Sequence, residues 1–170
     1  TPQTPAPETP ALPVPVHIAL DLGNNTGFAI CRADGRIEFG TKKFESEKIA
    51  HWGRRFLRFR QWLTDEKARV GGEIAGITYE TVQFGSNIGA IKVAAGFEAI
   101  LCMWAEHFSI PYRGVAPSTL KKFSTGSGRA EKKDVMFAVE RAFGIKPATS
   151  HEADALALLA IALEGERRAA

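Results

Sequence analysis

Val16-His17-Ile18-Ala19-Leu20-Asp21-Leu22-Gly23-Asn24-Asn25-Thr26-Gly27-Phe28-Ala29-Ile30 is the stretch on which the fold turns. Val16 to Leu20 suit a strand buried on both faces, with His17 the one strongly polar residue among them. They deliver a carboxylate, Asp21, to the strand's end; a glycine-rich turn and a second apolar run follow. An acid in that position is held by rigid structure at the sheet's edge, where a metal ligand or a phosphate-handling group would sit. Asp also caps turns, so this stretch alone leaves both readings open.

Working outward, 170 residues are most simply one domain, large enough to bury a core. With 45% hydrophobic and 24% charged residues and a formal charge of +3, the total says little about partners, whereas the placement of charge says more. Cys31 and Cys102 lie in apolar runs without metal-ligand spacing, so free thiols in a reducing compartment, cytoplasmic or another, are expected. No apolar run reaches the roughly 18 residues that span a membrane, so no membrane partner is expected. Nor does the N-terminus have the basic and apolar regions of a signal peptide, and secretion is not expected.

Residues 1–15 hold six of the nine prolines, which predicts a disordered tail ahead of a single folded unit over residues 16–165. After the opening strand, Thr26 to Cys31 reads as a second strand, Ala33-Asp34-Gly35 as a hairpin turn and Arg36 to Phe44 as a third strand. Ser46 is placed to cap a helix of about 22 residues with Ile49, Trp52, Phe56, Phe59 and Leu63 at helical spacing, closed by Gly71-Gly72. Ile74 to Tyr79 is a fourth strand whose exit residue is again an acid, Glu80. A helix from Ile88 to about His107 follows, with Ile91, Ala95, Ile100, Leu101 and Trp104 near one face. Pro111 to Val115 makes a fifth strand and Pro117 suits a helix start. A basic, glycine-rich segment from Lys121 to Gly128, a helix from Arg129 to Phe143 and a last helix from His151 to Glu164, capped by Ser150, complete the chain. Three antiparallel strands followed by strand-helix alternation predict an α/β fold, a five-stranded mixed sheet with helices on both faces.

Asp21 and Glu80 meet if their strands are neighbours. His151 and Asp154, three apart on one helix, share a face, while Glu152 points elsewhere. Clustered acids raise one another's pKa unless cations neutralise them, and hard oxygen ligands select Mg²⁺ or Mn²⁺. Two such ions form the clamp of nucleases and polymerases. Each residue also has a plainer explanation: Glu80 as a solvated strand end, His151 and Asp154 as residues suited to a helix N-terminus. The joint recurrence of acids at strand exits favours a site. Between Arg113 and Lys133, six cations (Arg113, Lys121, Lys122, Arg129, Lys132, Lys133) face one acid, Glu131. That balance suits phosphate contacts as well as a solvated loop, and beside an acidic metal site it suits nucleic acid.

These residues resemble the RuvC-type Holliday junction resolvases of the ribonuclease H-like superfamily, from about Val16 to Leu163. The resemblance rests on LDLGNNTGFAI with Asp21, YETVQFGSNIGAIKVAAG with Glu80 and Asn87, APSTLKKFSTGSGRAEKKDV, and SHEADALALLAIAL, in that order. It implies that Asp21, Glu80, His151 and Asp154 are the metal-binding catalytic residues, the third being Asp in some members and His in others. It implies that Lys121 and Lys132 lie near the scissile phosphate. It further implies a homodimer that nicks two opposed strands of a four-way DNA junction with two Mg²⁺, leaving 5′-phosphates and 3′-hydroxyls, with Mn²⁺ able to substitute. The expected DNA-binding set is Lys121, Lys122, Arg129, Lys132, Lys133, Asn87, Gln83 and Phe84, and the helix from Ile88 is the expected dimer contact. One departure stands out: the family commonly has Phe three residues after the strand-four Glu, where this chain has Gln83, with Phe84 one later. On an extended chain that shift reverses the side chain's direction.

The opening stretch also resembles the first phosphate loop of the actin and sugar-kinase ATPases. That fold needs a second domain and a second loop, for which this chain has no repeat. A silent junction-binding module would need a broken metal site, and a broader branched-DNA or flap nuclease would share the same chemistry.

Overall fold

The computed structural model describes residues 13–45, 51–83, 85 and 87–169. Strands β1 (Val16–Asp21), β2 (Asn25–Cys31) and β3 (Ile37–Lys43) form the antiparallel half of the sheet. Strands β4 (Ile74–Glu80) and β5 (Tyr112–Val115) extend it in parallel, giving the order β3-β2-β1-β4-β5. The expected five-stranded mixed sheet is therefore present, with β1 at its centre. All of Val16–Leu20 is buried, as a near-continuous apolar strand must be when both faces are covered.

Alternation along β1 divides the core. Val16, Ile18 and Leu20 face helices α1 (Arg54–Arg69) and α2 (Ile88–His107), where Phe44 and Phe97 each pack edge to face with Phe59, and Trp62 stacks on Phe59. Ala19 faces the other way, toward α3 (Pro117–Thr125), α4 (Lys132–Phe143) and α5 (Ser150–Ala169). The small Ala19 and Ala29 let α5, whose Ala153, Ala155 and Ala157 are buried, lie close against the centre of the sheet.

Several expected boundaries move, each for a physical reason. Helix α1 begins at Arg54; Ser46 and Ile49 lie outside the described residues, and Trp52 is exposed ahead of the first turn. In α2 the buried face is Phe97, Leu101, Trp104 and Ala105, while Ala95 is exposed. Lys121–Thr125 belong to α3 and not to a loop. Buried Leu120 anchors that helix, and the Ser124 and Thr125 hydroxyls donate back to Leu120 O (2.9 Å) and Lys121 O (2.8 Å). Helix α4 starts at Lys132, not Arg129, because the Asp134 carboxylate accepts the Glu131 N–H at 2.9 Å. Thr149, not Ser150, caps α5: its Oγ1 accepts the Glu152 N–H at 3.2 Å. Helix α5 runs on to Ala169, past the expected Glu164. Of the proline-rich tail, residues 1–12 lie outside the described residues, and Val14 N–H already donates to Ala33 O at 2.9 Å. Both cysteines are free.

Candidate active site

The central strands β1 and β4 run parallel with Leu20 opposite Tyr79, so their exit residues Asp21 and Glu80 emerge side by side. The turn after Asp21 is closed by Thr26, fully buried, whose hydroxyl donates to Gly23 O at 2.7 Å. This tight return pairs Gly27 with Asp21 across β1 and β2. Helix α5 then brings its N-terminal end over the same spot. A Cβ on Gly27 would lie 2.0 Å from the His151 carbonyl oxygen, so only glycine admits the helix at that distance. Thr41 on β3 meets the capping Thr149 at 3.1 Å, hydroxyl to hydroxyl, which fixes the helix end against the sheet.

His151 Nδ1 and Asp21 Oδ2 stand 2.6 Å apart. That hydrogen bond holds the imidazole in its protonated form to higher pH than usual, against the opposing effect of burial. Burial, with Asp21 and Asp154 beside it, pushes the Glu80 carboxyl up to about 8. Asp154 is pushed up to about 6, by burial first and then by Asp21. Lys121 and Lys132 pull both back down, which places their charges on the acid cluster. Three acids from β1, β4 and α5 thus share one field with the imidazole and two lysines. Glu152 turns away and accepts the Ala148 N–H at 2.7 Å.

Asp21 and Glu80 form one wall of an open cleft of about 230 Å3, with Thr81, Gln83, Ala90, Ala94 and Pro117 also lining it. Among the described residues no group of three His, Cys, Asp or Glu side chains stands close enough together to hold a metal ion without some movement. The donor set nonetheless fits hard divalent cations: carboxylate oxygens, partly desolvated, whose mutual repulsion a cation would remove.

Of the remaining expected DNA contacts, Gln83 lines this cleft and the other described ones lie on or beside α2, α3 and α4. Gln83 is exposed at its rim and donates to Thr81 Oγ1 at 3.3 Å; Phe84 lies outside the described residues. Asn87 caps α2, its side-chain oxygen accepting the Ala90 N–H at 3.0 Å. Lys122 is exposed on α3, Arg129 is exposed before α4, and Lys133 pairs with Glu131 at 2.9 Å on the surface. Sequence patterns do not announce Gly27, Thr149 or Arg55. The last is buried at 9% exposure and donates to Asn24 Oδ1 at 2.7 Å, bracing the turn after Asp21. An arginine on the apolar side of α1 was its one signal.

A ribonuclease H-like sheet that gathers acids at the ends of its central strands, beside basic helices, defines a nuclease of that superfamily. The chain belongs to the RuvC family, crossover junction endodeoxyribonucleases, whose family model matches residues 21–163. It is a Holliday junction-resolving endonuclease. A RuvC from Treponema denticola is 29% identical over 150 residues, covering 84% of this chain and 82% of the relative. One from Corynebacterium efficiens is 31% identical over 110 residues, covering 61% and 47%. In fold, the chain is similar to Thermus thermophilus RuvC in complex with a Holliday junction substrate, with TM-score 0.71, 21% identity and coverage of 85% and 90%. It is also similar to the yeast mitochondrial Holliday junction resolvase, with TM-score 0.56, 13% identity and coverage of 89% and 78%. The family implies a metal-dependent nuclease.

Proposed function

We propose that the chain works as a homodimer that nicks opposed strands of a four-way DNA junction at a site made of Asp21, Glu80, His151 and Asp154. The observation that supports this reading is the cluster itself: Asp21 and Glu80 leave the parallel strands β1 and β4 side by side, His151 on α5 bonds Asp21, and burial first, then Asp21, raises the Glu80 and Asp154 pKa values, with Lys121 and Lys132 acting the other way. Asp21, Glu80, His151 and Asp154 would hold two divalent cations, Mg²⁺ by preference and Mn²⁺ as a substitute. When bound, such ions supply an activated water and neutralise charge on the leaving 3′-oxygen.

The chain's own residues do the rest. Asp21, central to the cluster, keeps its carboxylate oriented through the His151 Nδ1 hydrogen bond. For Glu80 to hold a cation it would have to give up the proton that a carboxyl near 8 keeps at neutral pH, whereas Asp154, near 6, would already be mostly ionised there. Lys121 and Lys132 bind the phosphates flanking the cut, and Lys122, Arg129 and Lys133 extend the basic surface along a DNA arm. Asn87 contributes by holding the first turn of α2, and Gln83, at the rim of the cleft, would contact the junction centre together with Phe84, the next residue in the sequence. Cleavage leaves 5′-phosphate and 3′-hydroxyl ends. The free thiols of Cys31 and Cys102 suit a reducing compartment.

Nicking assays on an immobile four-way junction, a flap and a linear duplex test this reading. The junction is cut in preference to the flap, and the duplex is cut least; equal cutting of the duplex overturns the assignment. Asp21→Asn should lower the junction nicking rate by more than about tenfold while junction affinity persists, because the charge at the centre of the cluster is gone and the shape is not. A variant that retains more than about a tenth of the wild-type rate removes Asp21 from the site.

A further inference from the structure

We propose that Glu98, on α2, is a positioning residue for Glu80: its carboxylate clamps the exit of β4 on both sides of the catalytic acid. The inference rests on the reading of Glu80 given above and assigns the residue that aims it.

The sheet stops holding the chain just where Glu80 must be aimed. Beside β1 the register ends at Leu20 opposite Tyr79, and beside β5 it ends at Glu80 opposite Val115. One further backbone bond, Thr81 N–H to Val115 O at 2.9 Å, follows. The Val82 N–H lies beyond the last residue of β5, and it donates instead to Glu98 Oε2 at 3.2 Å. The other oxygen of the same carboxylate, Oε1, accepts from the Tyr79 hydroxyl at 3.3 Å. Tyr79 immediately precedes Glu80 and is buried against α2, pointing to the opposite face of the sheet. One carboxylate therefore grips the chain one residue before Glu80 and two residues after it.

The placement of Glu98 is not explained by packing. It stands between Ala94, which lines the cleft with Asp21 and Glu80, and the buried Leu101, on the side of α2 turned to the sheet. An apolar residue would satisfy that face. A carboxylate there must find donors, and charge-assisted bonds to a backbone N–H and a phenol are stronger than neutral ones. Misplacing a reacting group by a fraction of the cleft's width is enough to cost rate, so the clamp bears on catalysis more than on affinity.

The test compares Glu98→Gln, which keeps an acceptor for Val82 and a polar partner for Tyr79, with Glu98→Leu, which keeps the bulk and loses both contacts. Glu98→Leu should lower kcat for junction nicking by roughly 10- to 100-fold with KM within about twofold, and Glu98→Gln should stay within about threefold of wild type. Two readouts need no turnover. In amide NMR spectra the Val82 N–H should be protected from exchange in wild type, moved and exposed in Glu98→Leu, and retained in Glu98→Gln. Mn²⁺ titrated without DNA should bind Glu98→Leu more weakly. A Glu98→Leu protein that nicks like wild type, a loss confined to KM, or Glu98→Gln as impaired as Glu98→Leu overturns the proposal. Should Glu98→Leu fail to fold, exchange of the Val82 amide in wild type decides: an unprotected Val82 N–H also overturns it. Failure of wild type to nick junctions would sink the assigned site instead, and the amide measurement would still judge the clamp.

Discussion

Glu80 carries the largest perturbation in the site, and its direction has a consequence for stability. Its carboxyl, normally near 4.5, is pushed up to about 8 by burial and by Asp21 and Asp154. Below its ordinary pKa, folded and unfolded chains are both protonated there. As pH rises through the window from about 4.5 to about 8, the unfolded chain ionises first, folding takes up a proton, and stability falls. Glu80→Gln removes this conflict, so the metal-free variant should melt higher at neutral pH, by about 2–4 °C for each kcal/mol gained. Added Mg²⁺ should then raise the melting temperature of wild type more than that of the variant. Differential scanning calorimetry with and without Mg²⁺ measures both; a variant that melts lower than wild type in the absence of metal contradicts the strain. The acids Asp21 and Glu80 are legible in the sequence because each ends an apolar run, where an ionisable side chain is conspicuous. Glu98 and Arg55 are not, since a charge inside a helix carries no mark of its partner and only the third dimension shows which face it shares.

At the scale of elements, the site depends on how near α5 comes to β2. Gly27 is the contact, and Gly27→Ala would drive a methyl into the His151 carbonyl. The helix end must then withdraw, carrying His151 and Asp154 away from Asp21. We expect a loss of about 1–3 kcal/mol of stability, the usual cost of overpacking. We also expect junction nicking to drop more than about tenfold in protein that circular dichroism shows to be folded. Nicking within about twofold of wild type would mean that α5 tolerates the shift. The glycine turn was readable as a tight return, but the reason for its last glycine was not, because its partner lies 124 residues away. The segment from Lys121 teaches the converse lesson. Its serines, threonines and glycines look like a loop, yet buried Leu120 and the back-bonding of Ser124 and Thr125 make it helical as far as Thr125. Lys121 and Lys122 consequently sit on a helix and not on a loop.

For the molecule as a whole, α2 is the element with unfinished business. It is long and apolar enough by composition to cross a membrane, although Lys92 and Glu98 interrupt its run. It packs Phe97, Leu101, Trp104 and Ala105 into the core and leaves Ile88 67% and Met103 53% exposed. A core helix with a second apolar side suits a self-complementary contact, which a two-fold dimer repeats on both subunits. In the proposed homodimer, Met103→Glu should therefore give a monomer in analytical ultracentrifugation while leaving the fold intact, since the site chosen is already solvent-facing in the single chain. A variant that sediments as wild type would move the dimer contact elsewhere. A monomer should still carry its own acid cluster, because Asp21, Glu80, His151 and Asp154 all come from one chain.

The sequence by itself pointed to the five strands and most of the helices, to the mixed sheet and to the four residues of the candidate site. Apolar runs of strand length, acids at their exits and an i,i+3 pair in a helix's first turns are local signals, read within a few residues. Tertiary structure alone decided what those residues feel and what holds them. Whether Glu80 is a solvated strand end or a carboxyl pushed up to about 8 depends first on its burial and then on Asp21 and Asp154 arriving beside it from β1 and α5. Likewise Gly27, Thr149, Arg55 and Glu98 act through partners remote in sequence. Interactions that weak in water gain weight only where burial and like charge are brought together, and the chain can do that only once the sheet has placed its ends.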